Sequence, residues 1–455
     1  MQNIGNRKAS QENYLIMLNA VAKGVKEVEV LDAMCGTGKT YNLFKFISDN
    51  PAERYLYVTP MLSEVSSRPA EELAKFGDRG IIFCEPTGEG FKTKGDHLLE
   101  LLKDGQNIIC THSLFQLLEE SGRDSVRKYG YIIIIDEELG MIEPLRKDVL
   151  ATEDAKPLVQ KGSITIEKDG QVVWKDANWG VGSSAFAQAR KMADAGSLYA
   201  NRNGTFFNVQ LPTELIRAAK RVIVATYLFE GSIFHAFLKV KGVEYKPFAF
   251  DGMELRDEHA AKAALLNRIE FVDAPAARDR LYRRLRLPMD DLAARVTNGA
   301  LSHSWYASAS QDKLTEVGNH IRNIARQMEV RANDLIYTLP SSAVGKRGNR
   351  WIKRGRLVKV KSYGPETCYL HKGARATNDY AERTAAIHAY NRYLHPAIKT
   401  YLEDHGAKIS DDTFALAEMI QWLFRTAIRK PDQSKIKLHI VSPRMQKLFL
   451  DWLHS

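Results

Sequence analysis

Short runs of apolar residues alternate with helical patterns over the first part of the chain and recur near residue 220. These runs occupy residues 28–31, 54–59, 80–84, 107–111, 131–135 and 220–226. Because they are apolar throughout, they are typical of strands in a parallel sheet that helices cover on both faces. The pattern predicts a doubly wound α/β domain whose functional loops follow the carboxyl ends of the strands.

The pattern changes between about residues 145 and 210. Residues 163–174 resemble a β-hairpin that turns at Asp169-Gly170. An alanine-rich helical stretch follows, and the parallel-sheet pattern then returns. We interpret residues 145–210 as an insertion in a first domain that spans residues 1–255.

A second α/β pattern extends over residues 256–455. Strands are predicted at residues 301–306, 334–338, 367–370 and 438–441, and helices at 311–328 and 415–429. The fold class is therefore α/β, with two parallel-sheet domains in tandem and an inserted subdomain in the first.

Composition narrows the class of protein. The chain has 455 residues, of which 44% are hydrophobic and 26% charged, and no apolar run has the length of a membrane span. The first eight residues lack the apolar core of a signal peptide. The four cysteines are scattered, without the spacing of a disulfide framework or a metal knuckle. We expect a cytoplasmic protein without a membrane partner.

The net charge of +10 favours polyanionic partners. One glycine-containing segment concentrates positive charge around an aromatic side chain. Its site candidates are Lys346, Arg347, Arg350, Trp351, Lys353 and Arg354. Such a segment would follow a phosphate backbone and stack a base. The alternative is a solvated loop with a half-buried tryptophan.

The sequence Ala-Met-Cys-Gly-Thr-Gly-Lys-Thr, which ends at Thr40, stands between a strand-like run and a helical pattern. This is the context of a phosphate-binding loop. Backbone N–H groups of Gly36, Thr37 and Gly38 would surround phosphate oxygens. Lys39 would reach the β- and γ-phosphates, and the Thr40 hydroxyl would hold Mg²⁺. The pattern therefore predicts a nucleotide site.

Two carboxylates, Asp136 and Glu137, directly follow the apolar run at 131–135. Asp136 would hold Mg²⁺ and Glu137 would orient the water that attacks the γ-phosphate. The alternative is a solvated strand end. Because a phosphate-binding loop precedes this pair, we favour the catalytic interpretation.

The two motifs together resemble those of superfamily 2 helicases of the DEAD/DEAH type, since Asp-Glu-Glu-Leu from Asp136 looks like their Asp-Glu-x-x motif. Gln11 lies upstream of the loop at about the distance of the family's adenine-recognising glutamine; an exposed polar residue at a helix start is the alternative. Thr59 and Thr111 follow apolar runs at positions where the family contacts its nucleic-acid strand.

Near the C-terminus, residues 421–429 resemble the family's Gln-x-x-Gly-Arg-x-x-Arg motif, with Phe424 in place of glycine. On a helix, Gln421, Arg425 and Arg429 would share one face. The resemblance implies that the two arginines contact the γ-phosphate at a domain interface. A basic amphipathic helix that faces solvent is the alternative.

The resemblance implies two RecA-like domains with ATP and Mg²⁺ in the cleft between them, driving movement along or unwinding of nucleic acid. The insertion is similar to the arch domain of one helicase branch, which favours DNA over RNA, single-stranded or forked. The simple organisation resembles phage-encoded helicases, which implies the host cytoplasm, and a monomer is the default. A DNA-packaging-type ATPase and a nucleotide-dependent clamp that does not unwind remain alternatives.

Overall fold

The computed structural model describes residues 27–60, 68–77, 79–116, 118, 120–137, 140–146, 148–176, 186–211, 213–287, 299–347, 350–351, 357–371, 379–430 and 434–455. The chain divides into two compact units. The first contains residues up to Met34, Gly38–Leu255 and His395–Ile409. The second contains Cys35–Thr37, Arg256–Leu394 and Ser410–Ser455.

Each apolar run named for the first domain carries a strand, and twelve strands are described before residue 256. They are β1 (Glu27–Asp32), β2 (Tyr55–Thr59), β3 (Phe83–Cys84), β4 (Asn107–Thr111), β5 (Ile132–Asp136), β6 (Ile142–Pro144), β7 (Ile164–Ile166), β8 (Val172–Trp174), β9 (Leu198–Ala200), β10 (Phe207–Gln210), β11 (Arg221–Thr226) and β12 (Glu244–Pro247). Seven of them form one sheet in the order β12-β1-β11-β5-β2-β4-β3, in which every pair is parallel. The predicted parallel-sheet domain is confirmed.

Helices alternate with these strands. They are α1 (Lys39–Asp49), α2 (Arg68–Ala74), α3 (Lys94–Lys103), α4 (His112–Phe115), α5 (Glu120–Tyr129), α6 (Thr152–Gln160), α7 (Ala187–Asp194), α8 (Thr213–Arg217) and α9 (Ile233–Val240). The apolar side of α1, with Leu43, Phe44 and Ile47, packs on β2 and β5 in a core that water does not reach. Burial of such side chains stabilises the fold by about 1.5–3 kcal/mol each.

The strand order determines where the functional loops meet. β11 lies between β1 and β5, and its Ala225 pairs with Leu31 on one side and with Asp136 on the other. The carboxyl ends of β1 and β5 therefore lie at the same level of one sheet edge. The residues that follow these two strands can meet there.

The predicted insertion has a core of its own, which includes Leu158, Ile164 and Leu198. It contains the hairpin β7-β8 and the strands β9 and β10, which form an antiparallel sheet with β6, just before the predicted boundary at residue 145. Gly170 has φ 85° in the hairpin turn, a conformation that favours glycine. The hairpin predicted around Asp169-Gly170 is confirmed.

The remaining strands are short and lie mostly in the second unit. They are β13 (Ile269–Phe271), β14 (Leu335–Thr338), β15 (Lys346–Arg347), β16 (Arg350–Trp351), β17 (Ala385–His388) and β18 (Ile436–Ile440). Four form an all-parallel sheet in the order β13-β18-β17-β14, which confirms a second parallel-sheet domain.

Helices occupy the intervals between these strands along the chain. They are α10 (Glu258–Arg268), α11 (Pro275–Arg284), α12 (His303–Ser308), α13 (Gln311–Gln327), α14 (Ser341–Val344), α15 (Pro365–Cys368), α16 (Pro396–Asp404), α17 (Asp411–Leu423) and α18 (Pro443–His454), with 3-10 turns at Ala332–Asp334 and Ala427–Arg429. Within the described ranges, no helix combines the length and the apolar character that crossing a bilayer requires.

Two predicted strands of the second half are wrong, because local capping starts a helix in each case. Residues 301–306 overlap α12, where the Ser302 hydroxyl accepts a hydrogen bond from the Trp305 N–H. Residues 367–370 overlap α15, which begins with Pro365. The strands predicted at 334–338 and 438–441 are confirmed as β14 and β18.

Helix α16 belongs to the first unit, although residues of the second unit flank it on both sides. The Tyr401 hydroxyl donates to the backbone oxygen of Asp169 at 3.0 Å, and its ring lies 5.9 Å from that of Tyr199. The Asp404 carboxylate accepts from the Arg202 N–H at 3.2 Å. The insertion is therefore completed by a helix far along the chain, which the sequence pattern did not predict.

Two buried histidines join α13 to β18 in the second unit. Nε2 of His320 lies 3.1 Å from Nε2 of His439, and Nδ1 of His439 lies 2.8 Å from the carbonyl oxygen of Val272. Since a carbonyl only accepts, His439 carries its proton on Nδ1 and accepts from His320 through Nε2. Burial lowers the pKa of each imidazole below its ordinary value, with Arg278 also lowering both, so both rings are neutral near pH 7.

This pair should make the second unit sensitive to acid. Both folded-state pKa values lie below the unfolded value of about 6.5, so their contribution to stability is intact above that pH and is lost as the pH falls. We expect each histidine to reduce the free energy of unfolding by up to about 1.4 kcal/mol per pH unit in the acid range. Urea unfolding between about pH 7 and pH 5 measures this slope. His320→Gln should make it shallower, and an unchanged slope would contradict the expectation.

Candidate functional site

The loop between β1 and α1 has the backbone of an anion-binding turn. Gly36 and Gly38 have φ values of 82° and 108°, which lie in the left-handed region. Helix α1 begins at Lys39 without a side-chain cap, so its first N–H groups point toward the loop. Across the loop, Nζ of Lys39 donates to the carbonyl oxygen of Ala33 at 2.5 Å. This arrangement can receive phosphate oxygens.

Asn42, a residue that sequence reasoning missed, holds this loop in place. Its fully buried side-chain amide donates to the carbonyl oxygens of Gly38 and Glu254, at 2.9 and 2.5 Å. Its Oδ1 accepts from the Glu254 N–H at 2.7 Å. Asparagine is a poor helix former, and its position on the apolar side of α1 was an available signal of such a role.

Asp136 is the centre of a group of polar side chains at the carboxyl end of β5, and only 5% of it is exposed. The Thr40 hydroxyl donates to its Oδ2 at 3.4 Å, and the Tyr57 hydroxyl donates to the same atom at 2.8 Å. Nε2 of His112 donates to its backbone oxygen at 3.3 Å. The structure therefore brings the predicted Thr40 and Asp136 together, and it adds Tyr57 and His112.

The chemistry of this donor set fits Mg²⁺. The Thr40 hydroxyl and the Asp136 carboxylate are hard oxygen ligands, which Mg²⁺ prefers. Adjacent ligands of one Mg²⁺ lie about 3 Å apart, close to the 3.4 Å between Thr40 Oγ1 and Asp136 Oδ2. Protein sites usually supply one or two such ligands and leave the others to water and phosphate.

Glu137 follows Asp136 with φ 65°, in the left-handed region that non-glycine residues rarely adopt. The turn ends β5, and the side chain is partly exposed. A strained residue directly after a buried carboxylate is typical of a functional position. The two acidic residues are therefore placed differently, with Asp136 buried and Glu137 accessible to solvent.

Thr59 and Thr111 are paired in register at the carboxyl ends of β2 and β4. Thr59 is fully buried. The Thr111 hydroxyl accepts from the Leu114 N–H at 3.3 Å and so caps α4. The structure thus places both threonines at the same sheet edge as the loop between β1 and α1.

In the second unit, Gln421, Arg425 and Arg429 do not share a helix face, and that prediction is wrong. Helix α17 ends at Leu423, and Arg429 closes a separate 3-10 turn. The Thr426 hydroxyl donates to the Leu423 carbonyl oxygen at 2.7 Å and accepts from the Ile428 N–H, which favours a break in the helix. Arg425 is 7% exposed, whereas Arg429 is exposed.

The basic segment forms a β-hairpin in its backbone, in which Lys346–Arg347 pairs antiparallel with Arg350–Trp351. The side chains of these four residues lie outside the part of the structure that is described. Gln11, Lys353 and Arg354 also lie outside the described residues.

The amino-acid sequence is similar to that of one described family and of one bacterial prophage protein. Residues 281–453 match a family described as the YonV C-terminal Rossmann-like domain. The SPbeta prophage-derived uncharacterized protein YonV of Bacillus subtilis (strain 168) is 27% identical over 445 residues, which are 95% of this chain and 100% of that protein. This chain is thus similar to a prophage protein over nearly its whole length.

Among solved structures, the chain is similar to S. tokodaii Xpd4 at 15% identity, with a TM-score of 0.43 over 96% of this chain and 95% of that one. The helicase MrfA gives 11% identity and a TM-score of 0.28 over 91% of this chain and 46% of MrfA. A hypothetical ATP-dependent RNA helicase from Sulfolobus tokodaii gives 12% identity and a TM-score of 0.24 over 94% of this chain and 91% of that one.

Proposed function

We propose that this chain is an ATP hydrolase of the helicase or translocase type, which uses ATP and Mg²⁺ to move along or unwind nucleic acid, with DNA favoured over RNA. The observation that carries the proposal is the convergence of a glycine-bounded anion loop with the Thr40–Asp136 oxygen pair at one sheet edge. Parallel α/β sheets bind their ligands at this edge.

In the first unit, four residues would have separate roles in ATP hydrolysis. Lys39 would exchange the Ala33 carbonyl for phosphate oxygens. Thr40 and Asp136 would hold Mg²⁺, which neutralises charge that develops on the phosphates. Glu137, accessible and next to the metal ligand, would orient the attacking water.

The remaining predicted residues complete the proposal. Gln11 would recognise the adenine, as the family resemblance implies. Arg425 and Arg429 would stabilise the transition-state charge, with Gln421 close to the nucleotide. Because the helix ends before Arg425, the two arginines would reach the phosphate from different local structures rather than from one helix face.

Three features support a nucleic-acid partner: the net charge of +10, the hairpin that carries Lys346, Arg347, Arg350 and Trp351, and the threonine pair Thr59 and Thr111 at the sheet edge. Basic groups bind the phosphate backbone and an aromatic ring stacks a base. The prophage relative supports a phage-encoded protein that acts in the host cytoplasm.

The proposal predicts that ATP hydrolysis depends on Mg²⁺ and increases several-fold when single-stranded DNA is added. The rate of phosphate release with no polymer, single-stranded DNA, double-stranded DNA and RNA measures this. A polyanion such as heparin is the control for nonspecific charge effects. If no nucleic acid changes the rate, the motor function is wrong even if ATP is hydrolysed.

Strand displacement from a tailed duplex then distinguishes unwinding from clamping. Displacement that requires hydrolysable ATP supports a helicase. Stimulated hydrolysis without displacement favours a translocase or a nucleotide-dependent clamp.

A further inference from the structure

Arg68, which none of the motifs includes, contacts both residues of the oxygen pair. It is the first residue of α2, and its side chain is 18% exposed. Its Nη2 donates to the Thr40 hydroxyl oxygen at 3.1 Å and lies 3.8 Å from Oδ2 of Asp136. A guanidinium group thus lies against the two atoms that fit Mg²⁺.

The buried carboxylate explains why a cation is favourable at this position. Asp136 is 5% exposed, and an ionised carboxylate that loses its water is costly unless a charge and hydrogen bonds compensate it. The Tyr57 hydroxyl supplies a hydrogen bond, and Arg68 supplies a positive charge. Arg68 therefore places a compensating positive charge beside the Asp136 carboxylate and helps to fix its orientation without a metal.

The same cation opposes a metal ion at the oxygen pair. A Mg²⁺ ligated by the Thr40 hydroxyl lies about 2.1 Å from that oxygen, and therefore within about 5 Å of Nη2 of Arg68 in its present position. Charges of +2 and +1 at this distance repel each other by enough to weaken binding roughly tenfold, even at the dielectric constant of water. The metal and the guanidinium cannot both be bound strongly in this arrangement.

We propose that Arg68 is a positioning residue that substitutes for the charge of the metal in the metal-free protein and is displaced when a divalent cation binds. The inference rests on the proposed function, because that function places Mg²⁺ on Thr40 and Asp136. Arg68 keeps the site ordered between turnovers and keeps its affinity for free metal low. Metal then binds productively together with the nucleotide phosphates, which supply the missing ligands.

Titration of nucleotide-free protein with Mn²⁺, with free Mn²⁺ measured by electron paramagnetic resonance, tests this without any activity assay. We expect Arg68→Gln to bind Mn²⁺ roughly tenfold more tightly than the unmodified chain, since the repelling charge is gone. Arg68→Lys keeps the charge and should stay close to the unmodified chain. Asp136→Asn should abolish this Mn²⁺ binding, both in the unmodified chain and in the two Arg68 variants.

A matched control is Arg127→Gln, which removes an exposed arginine on α5 that pairs with Asp124. It should leave Mn²⁺ affinity unchanged. Thermal unfolding by circular dichroism verifies that each variant folds. If Arg68 only supported the structure, its loss would disorder Asp136 and weaken metal binding, the opposite of the expected result.

Equal Mn²⁺ affinity in Arg68→Gln and the unmodified chain, weaker binding in the variant, or no Asp136-dependent binding in either would each overturn the proposal. The first two results leave the proposed ATPase intact, because they concern Arg68 alone. Failure of the proposed function appears separately, as absence of Mg²⁺-dependent phosphate release.

Discussion

Lys39→Ala should reduce the rate of ATP hydrolysis by at least about a hundredfold, the order observed when one preorganised group that stabilises transition-state charge is removed. Nζ of Lys39 already points across the loop to the Ala33 carbonyl at 2.5 Å, so the amine is positioned where phosphate oxygens would bind. Without it, the β- and γ-phosphates lose the positive charge that this lysine would supply. Phosphate release under saturating Mg²⁺ and ATP measures the effect.

Lys45→Ala is the matched control, because Lys45 lies on the same helix but pairs with Asp49 at the surface. An exposed pair of this kind contributes little to stability, so this variant should hydrolyse ATP at the normal rate. Normal turnover in Lys39→Ala would show that the loop is not the ATP site.

Glu137→Gln should lower the rate of hydrolysis by about a hundredfold to ten-thousandfold while ATP affinity changes little, because loss of a general base affects the chemical step and not binding. The partly exposed Glu137 leaves β5 through a left-handed turn, and in the proposed mechanism the buried Asp136 would still hold the metal. Single-turnover hydrolysis and binding of a fluorescent ATP analogue separate the two effects.

Glu100→Gln, an exposed position on α3, serves as the matched carboxylate control and should hydrolyse ATP normally. If Glu137→Gln loses binding and turnover together, Glu137 acts in nucleotide binding or in folding of the turn. That result would contradict its role as the base.

The sheet of the first unit was largely predictable because its inner strands are mostly buried, whereas the exposed edge strand β12 was not predicted. The run Ile132–Ile135 has no polar position, a pattern that is typical of a central parallel strand. By contrast, β17 begins with Ala385 and Ala386, residues with weak β-propensity, and it forms a strand because β14 and β18 pair with it on either side. Pairing of that kind depends on distant residues and is not visible in a local pattern.

In the candidate site, too, the features with a local sequence pattern were predictable, and those that depend on distant residues were not. The loop glycines, Lys39 and Thr40 were predictable because their spacing is local, and the strand order then places Asp136 beside Thr40. Arg68 and Tyr57 reach Asp136 from other elements, so only the folded chain reveals them. The predicted helix through Arg429 was wrong because a single hydroxyl, that of Thr426, competes with the helical hydrogen bonds.

The position of α16 has a consequence for how the polypeptide folds as it is synthesised. Domains generally fold from the N-terminus as the ribosome releases them. Here Asp169 and Arg202 contact Tyr401 and Asp404, which are made some two hundred residues later. Part of the insertion in the N-terminal unit therefore stays uncovered until residues 256–394 of the second unit have emerged, and a gene cut at residue 255 would encode a first unit that lacks this helix.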